Sequence, residues 1–279
     1  MDSVVRTVFG AYLQTVQLLG LPMIIKPNST LNEKFNINKD ITISSEDKPS
    51  VKYVTIGNGG HRLVTGTNNI SKPEPVQHRP RDAALYNHLP FILRLPSNDL
   101  TALERAKYRM RRYETHDGVT YVAYDLKVLD LTSTIPQLEL RTVEDGVTTS
   151  TTYSPTLADL NPTPPALLPG GSLSTTGDYI AATAKVPFIM TENDIIEFLN
   201  VCNIIYGDEG YAMISEIGLC SGVDRSVVGD FNGVSTGYID AISVQIVSFI
   251  NAFFSAKFSN TGITINLDVG AVEPLLDLV

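Results

Sequence analysis

Two Asp-Gly dipeptides, Asp117-Gly118 and Asp145-Gly146, constrain this chain more than any other feature. Each lies between segments in which apolar and polar residues alternate. A two-residue hairpin turn needs positive φ at its central positions, which Asp and Gly tolerate. After the first dipeptide, Val122, Tyr124, Leu126 and Val128 fall on one face. Before the second, Leu138 and Leu140 alternate, and a return strand TTSTTY follows. Two antiparallel hairpins are expected. Just ahead of the first, Asp99 can cap a short helix over residues 100–106, extendable to Arg112, or residues 107–113 form a strand. The neighbouring hairpin favours the strand, with Tyr108 and Met110 on one face and Lys107, Arg109 and Arg111 on the other.

The flanking segments extend this β-rich pattern. VKYVTIGNGGH reads as a strand ending in a glycine turn at Gly57, Gly59 and Gly60, where positive φ is expected. Residues 71–90 hold four prolines and read as an irregular surface segment. ISEIGLC and residues 242–258 are strand-like. One helix is clear: Thr191 and Asp194 form a capping box, Ile195, Phe198, Leu199, Cys202 and Ile205 make an apolar stripe, and Gly207 suits its end. Residues 1–50 read as an arm, and the Pro/Gly-rich stretch 154–177 as a connection. The expected fold is β-rich α+β, an antiparallel β-sandwich or barrel-like core with one or two short helices and an extended N-terminal arm. The expected organisation is an arm over residues 1–50 and a single structural domain over 51–279.

Motifs for chemistry are sparse. Gly233-Val234-Ser235-Thr236-Gly237 matches the nucleophile-elbow pattern G-x-S-x-G. That motif needs a following helix and a later histidine, whereas the last histidine is His116 and the following segment reads as strand. The glycine cluster 57–60 lacks the third glycine of a dinucleotide loop and the Lys of a phosphate loop. His61, His78, His88 and His116 have no metal-ligand spacing, and Cys202 and Cys220 stand alone. No catalytic residue, cofactor or metal is expected, and the chain reads as a non-enzyme. The uncharged stretches 8–25 and 241–256 read as an arm and a buried strand rather than membrane spans.

Charge is uneven along the chain. Residues 1–112 carry sixteen Lys/Arg against nine Asp/Glu, and residues 113–279 carry five against twenty-one, for a net of −9 over 279 residues. A basic half and an acidic half can meet head to tail between copies. The densest basic run is Arg105, Lys107, Arg109, Arg111 and Arg112, interleaved with Tyr108 and Tyr113. It reads as a surface for pairing with the acidic half of an adjacent copy, ahead of a phosphate-backbone contact.

Four segments, IGNGGH (56–61), LYNHLPFILR (85–94), YRMR (108–111) and ISEIGLCSGVDR (214–225), resemble a family of virion structural proteins from tailed bacteriophages. The resemblance implies a part of the particle, made in the host cytoplasm, and carries over no catalytic residues. Within a particle the expected place is the neck, as a ring-forming head–tail connector or collar subunit. Its expected partners are copies of itself and portal, tail-terminator or other neck proteins, with passive contact with packaged DNA and no membrane. A baseplate component or capsid decoration protein is the alternative. A receptor- or carbohydrate-binding module is a further one, with no tryptophan but twelve tyrosines to serve it.

Overall fold

A computed structural model describes residues 3–66, 69, 71–163, 173–231, 234–258 and 262–278. Down the chain run β1 (Ser3–Arg6), α1 (Val8–Leu19), α2 (Leu31–Phe35), β2 (Ser50–Gly57), β3 (His61–Thr65), β4 (Ser71–Pro75), β5 (His88–Leu89) and β6 (Ile92–Arg94). There follow α3 (Ala102–Arg105), β7 (Tyr108–His116), β8 (Val119–Val128), β9 (Gln137–Glu144), β10 (Val147–Thr152), α4 (Leu157–Leu160) and β11 (Leu173–Met190). The chain closes with α5 (Glu192–Tyr206), β12 (Met213–Phe231), β13 (Val234–Ser255) and β14 (Ile263–Leu278). The fold is β-rich α+β, and its strands pair antiparallel. Helices are more numerous than the one or two expected, although only α1 and α5 exceed five residues.

Both expected hairpins form. β7 and β8 turn at Asp117-Gly118, with φ 49° and 78°, and β9 and β10 turn at Asp145-Gly146, with φ 49° and 77°. The strand reading of residues 107–113 is realised in β7, whereas the helix is only Ala102–Arg105, capped by Thr101 rather than Asp99, and does not extend to Arg112. α5 starts at the capping box of Thr191 and Asp194 and ends on Gly207 in the left-handed region.

The chain divides into two compact units rather than an arm and one domain: Met1–Leu129 with Ile189–Thr264, and Asp130–Phe188 with Ile265–Val279. In the first, the sheet order is β1-β13-β12-β2-β8-β6, with β5 on β2 and β7 on β8. β7, paired with β8 off this order, also touches the far half of the β12–β13 ribbon, where the Met110 amide donates to Asp240 Oδ1 at 2.6 Å and the Tyr113 hydroxyl to the Asp230 carbonyl at 2.9 Å. The sheet therefore bends back on itself around a core of Tyr53, Met110, Leu126, Cys220, Ile246 and Phe249. A β3–β4 hairpin stands beside it. The second unit holds the sheet β10-β9-β11-β14.

Residues 1–50 are not an extended arm. β1 pairs with β13 from Ser3↔Asn251 to Arg6↔Ser248, α1 buries Leu13 and Val16, and α2 puts Leu31 wholly inside the core. Asn32 bridges the Ile37 and Ala241 carbonyls at 3.1 and 3.0 Å and accepts from the Val244 amide at 2.9 Å. Polar groups at the segment's own turns (Thr30 with Glu33, Asn36 and Asn38 at positive φ) fold it back onto the sheet. The proline segment 71–90 is more regular than expected, since Ser71–Pro75 forms β4 against β3. Of the 154–177 connection, residues 164–172 lie outside the described residues, while Leu157–Leu160 forms α4 and β11 begins at Leu173.

Candidate functional site

The residues with chemical potential gather in two buried nodes of the first unit. One is centred on Glu216, a charged residue inside the apolar run of β12, where a register irregularity between Ile214 and Glu216 re-aims the strand. Glu216 Oε1 accepts the amides of Gly59 and Asn87, each at 2.9 Å, and Oε2 accepts the Tyr86 amide at 3.0 Å. His78 Nε2 meets Oε2 at 2.7 Å, and its ring lies flat between Phe249 and Tyr86 with centroids 3.8 and 4.1 Å away. Asp82 stands 3.6 Å from the other ring nitrogen, too far for a good hydrogen bond. The side chains of His78 and Glu216 have no exposed surface. An acid–His–acid row could relay a proton, but here no substrate can reach it. Its work is to clamp two loops onto the sheet.

The glycines belong to the same clamp. Gly57, Gly59 and Gly60 are not at positive φ, so turn geometry is not the reason for them. A Cβ on Gly57 would stand 2.2 Å from the Asn87 carbonyl, on Gly59 2.8 Å from both the Asn87 amide and Tyr86 Cβ, and on Gly60 2.3 Å from the Ser215 carbonyl. Close approach of backbone to backbone is what demands glycine.

The second node is the start of β7. Residues 108–112 are met in turn by acids of other elements. The Tyr108 hydroxyl donates to Asp194 of α5, which also pairs with Lys127 at 2.6 Å. Arg109 Nε binds Asp224 of β12 at 2.7 Å, where the Tyr53 hydroxyl also donates at 3.0 Å. The Met110 amide reaches Asp240 of β13. Arg111 binds Asp99 at 3.0 Å. Arg112 binds Asp125 of β8 at 2.6 Å and Glu114, with its guanidinium 4.8 Å over the Phe35 ring of α2. Met110 sits at φ +57°, a conformation rare for a side chain of its size. Residues 108–111 are all buried, so the expected two-faced alternation fails.

The basic run is therefore not a docking surface as a whole. Arg109 and Arg111 are buried and Arg112 is half-buried, with their charges met inside the chain; Lys107 is exposed and Arg105 half-buried against the Leu100 carbonyl at 3.4 Å. Spacing could not reveal this, because the answering acids lie up to 115 residues away. One signal was present: Glu216 interrupts an apolar strand, a placement that needs a buried partner.

Electrostatics follow burial. Burial pushes Asp240 up to about 6, against the hydrogen bonds of Met110, Ala241 and Asn38. Burial also opposes ionisation of Asp194, but Lys127, Tyr108 and Thr191 hold it below the usual carboxylate range. Burial, with Lys34 and Arg112, keeps His88 far below its ordinary value; its Nε2 accepts the Leu85 amide at 2.9 Å. Burial lifts the Cys202 thiol to about 12 and Cys220 higher, so both are inert packing groups. Of the elbow-like motif, Gly233 lies outside the described residues, and Ser235 is exposed on β13 opposite Asp230. Among the described residues no cluster of three or more His, Cys, Asp or Glu could hold a metal, and no helix is long and apolar enough to cross a membrane.

The fold and its nodes define an antiparallel β-rich protein whose buried polar residues join distant segments. The chain belongs to a family of unknown function, DUF7208, whose model matches residues 1–278. No curated protein and no solved structure matches it.

Proposed function

We propose that the chain is a non-enzymatic structural subunit of a tailed-phage virion. Its place is the neck, as a head–tail connector or collar protein that joins copies of itself into a ring and docks to portal, tail-terminator or other neck proteins. The four segments that resemble virion proteins support this reading, since they converge on the clamps: Gly59, Tyr86 and Asn87 on Glu216, and Arg109 on Asp224. Residues of this kind are spent on rigidity, which a subunit under mechanical load requires.

The observation that carries self-assembly is the apolar surface left by the N-terminal segment. Val8, Leu18, Leu19, Leu21 and Ile24 are all more than half exposed, Leu18 at 84%. Residues 7–25 contain no charge, and β1 beside them lies at the end of the sheet order. Exposed apolar surface next to a sheet edge marks a contact with another chain. Light scattering and negative-stain imaging of the purified protein test it. A closed ring of uniform size is expected, reduced to monomer by Leu18→Lys with Leu21→Lys at an unchanged thermal midpoint. A monomer that also fails to bind isolated heads and isolated tails would overturn the reading.

A further inference from the structure

We infer that the surface formed by Tyr206, Tyr211, Asn58 and Asn87 binds neutral saccharides. This site is separate from the apolar N-terminal surface and does not depend on assembly. The Asn87 side-chain amide donates to Asn58 Oδ1 at 2.6 Å and to the Tyr206 hydroxyl at 2.9 Å. Asn58 Nδ2 makes longer contacts, 3.4 Å each, to that hydroxyl and to the Tyr211 carbonyl. In this arrangement Tyr206 is an acceptor only, so its O–H remains to donate outward. Asn87 is exposed, and its Oδ1 has no protein partner among the described residues. An outward donor beside an outward acceptor is the pattern that neighbouring sugar hydroxyls complement, each hydroxyl both giving and taking a hydrogen bond.

The rings supply the apolar part of recognition. Tyr211 is half exposed and lies 4.8 Å from Tyr206 at an interplanar angle of 33°. Such an open face matches the C–H face of a pyranose ring, and Tyr loses little conformational freedom on contact. The surface is also held in place before any ligand arrives. The backbone amides of Tyr86 and Asn87 are fixed by Glu216, and the Asn58 amide donates to the Asn87 carbonyl at 3.2 Å. Rigid placement of this kind lowers the ordering cost of binding. Asp208 and Glu209, exposed between Tyr206 and Tyr211 in sequence, favour neutral over acidic sugars.

Saturation-transfer NMR on the full chain tests the inference, with maltotriose, chitotriose and lactose as neutral probes and sialyllactose as the acidic contrast. Transfer to at least one neutral probe is expected, weaker for sialyllactose. Tyr211→Ala and Asn87→Ala should each weaken it about tenfold or more. Asn87→Ala keeps the backbone amide that Glu216 holds, and Tyr211→Phe keeps the ring and should keep binding. Should the alanine variants fail to fold, Tyr206→Phe removes the outward donor together with the acceptor of Asn87 Nδ2, and should weaken binding with the thermal midpoint nearly unchanged. Absence of transfer to every neutral probe, or equal transfer in wild type and Tyr206→Phe, would overturn the site and leave the patch as a protein contact.

Discussion

Asp240 has no solvent contact, yet its carboxylate takes the Met110 and Ala241 amides on one oxygen and Asn38 Nδ2 on the other. Burial outweighs these bonds and raises its pKa from 3.8 to about 6. The folded chain therefore holds this proton more tightly than the unfolded one. Its contribution to stability is full below about pH 4 and is lost as pH rises through about 6. Asp240→Asn removes the titration while retaining an oxygen for the two amides. Between those pH values the wild type should lose on the order of 2 kcal/mol relative to the variant, read as converging thermal midpoints in a pH series; parallel curves would refute it. Gly59 tests the other node. A methyl group there meets Asn87, Tyr86 and Glu216 within 3 Å, so Gly59→Ala should cost about 1–3 kcal/mol in urea unfolding. The glycines were legible in the sequence, but their reason was not. A turn is a local property, whereas contact with Asn87 and Ser215 depends on how far segments fold back.

At the scale of elements, local signals were read well and partners poorly. The two Asp-Gly turns and the Thr191–Asp194 cap are decided within a few residues, and each formed as its chemistry dictates. The capping Asp194 has a second role that no local pattern records, joining α5 to Tyr108 and Lys127 across two strands. β7 shows the difference most sharply. Four arginines and a lysine in eight residues look solvated, but four consecutive side chains, 108–111, are buried because acids from α5, β12, β13 and the segment before α3 answer them. Arg109→Glu would place a second carboxylate against Asp224, where a guanidinium now lies 2.7 Å away. Asp224 itself is partly exposed, so the cost comes from burying a carboxylate without a cation at the site of Arg109, which is 8% exposed, about 3 kcal/mol or more. Urea denaturation followed by circular dichroism should show a large fall in midpoint for Arg109→Glu and almost none for Lys107→Glu, which is exposed. Equal effects would mean that the strand is not the internal tie described above.

For the whole molecule, the split between a basic first part and an acidic second part is complementary, but much of that complementarity is satisfied within one chain. Arg94 meets Glu197, Arg109 meets Asp224, and Arg112 meets Glu114 and Asp125. The first unit carries nineteen bases against twenty-one acids, whereas the second carries two against nine. A nearly balanced first unit and an acidic second unit make a poor pair for head-to-tail attraction, and like-charged second units repel. In the proposed ring, what remains to drive self-association is the uncharged surface of Val8, Leu18, Leu19, Leu21 and Ile24. The two driving forces respond oppositely to salt. Charge pairing between exposed groups fades once the screening length falls to about 3 Å near 1 M salt, while apolar burial persists and repulsion between acidic units is relieved. The assembled fraction measured by light scattering should therefore hold or rise on going from about 0.1 M to about 1 M sodium chloride, and Leu18→Lys with Leu21→Lys should abolish it at both. Dissociation at high salt would instead return the contact to charged groups, with exposed Lys107 the first residue of the basic run to reverse.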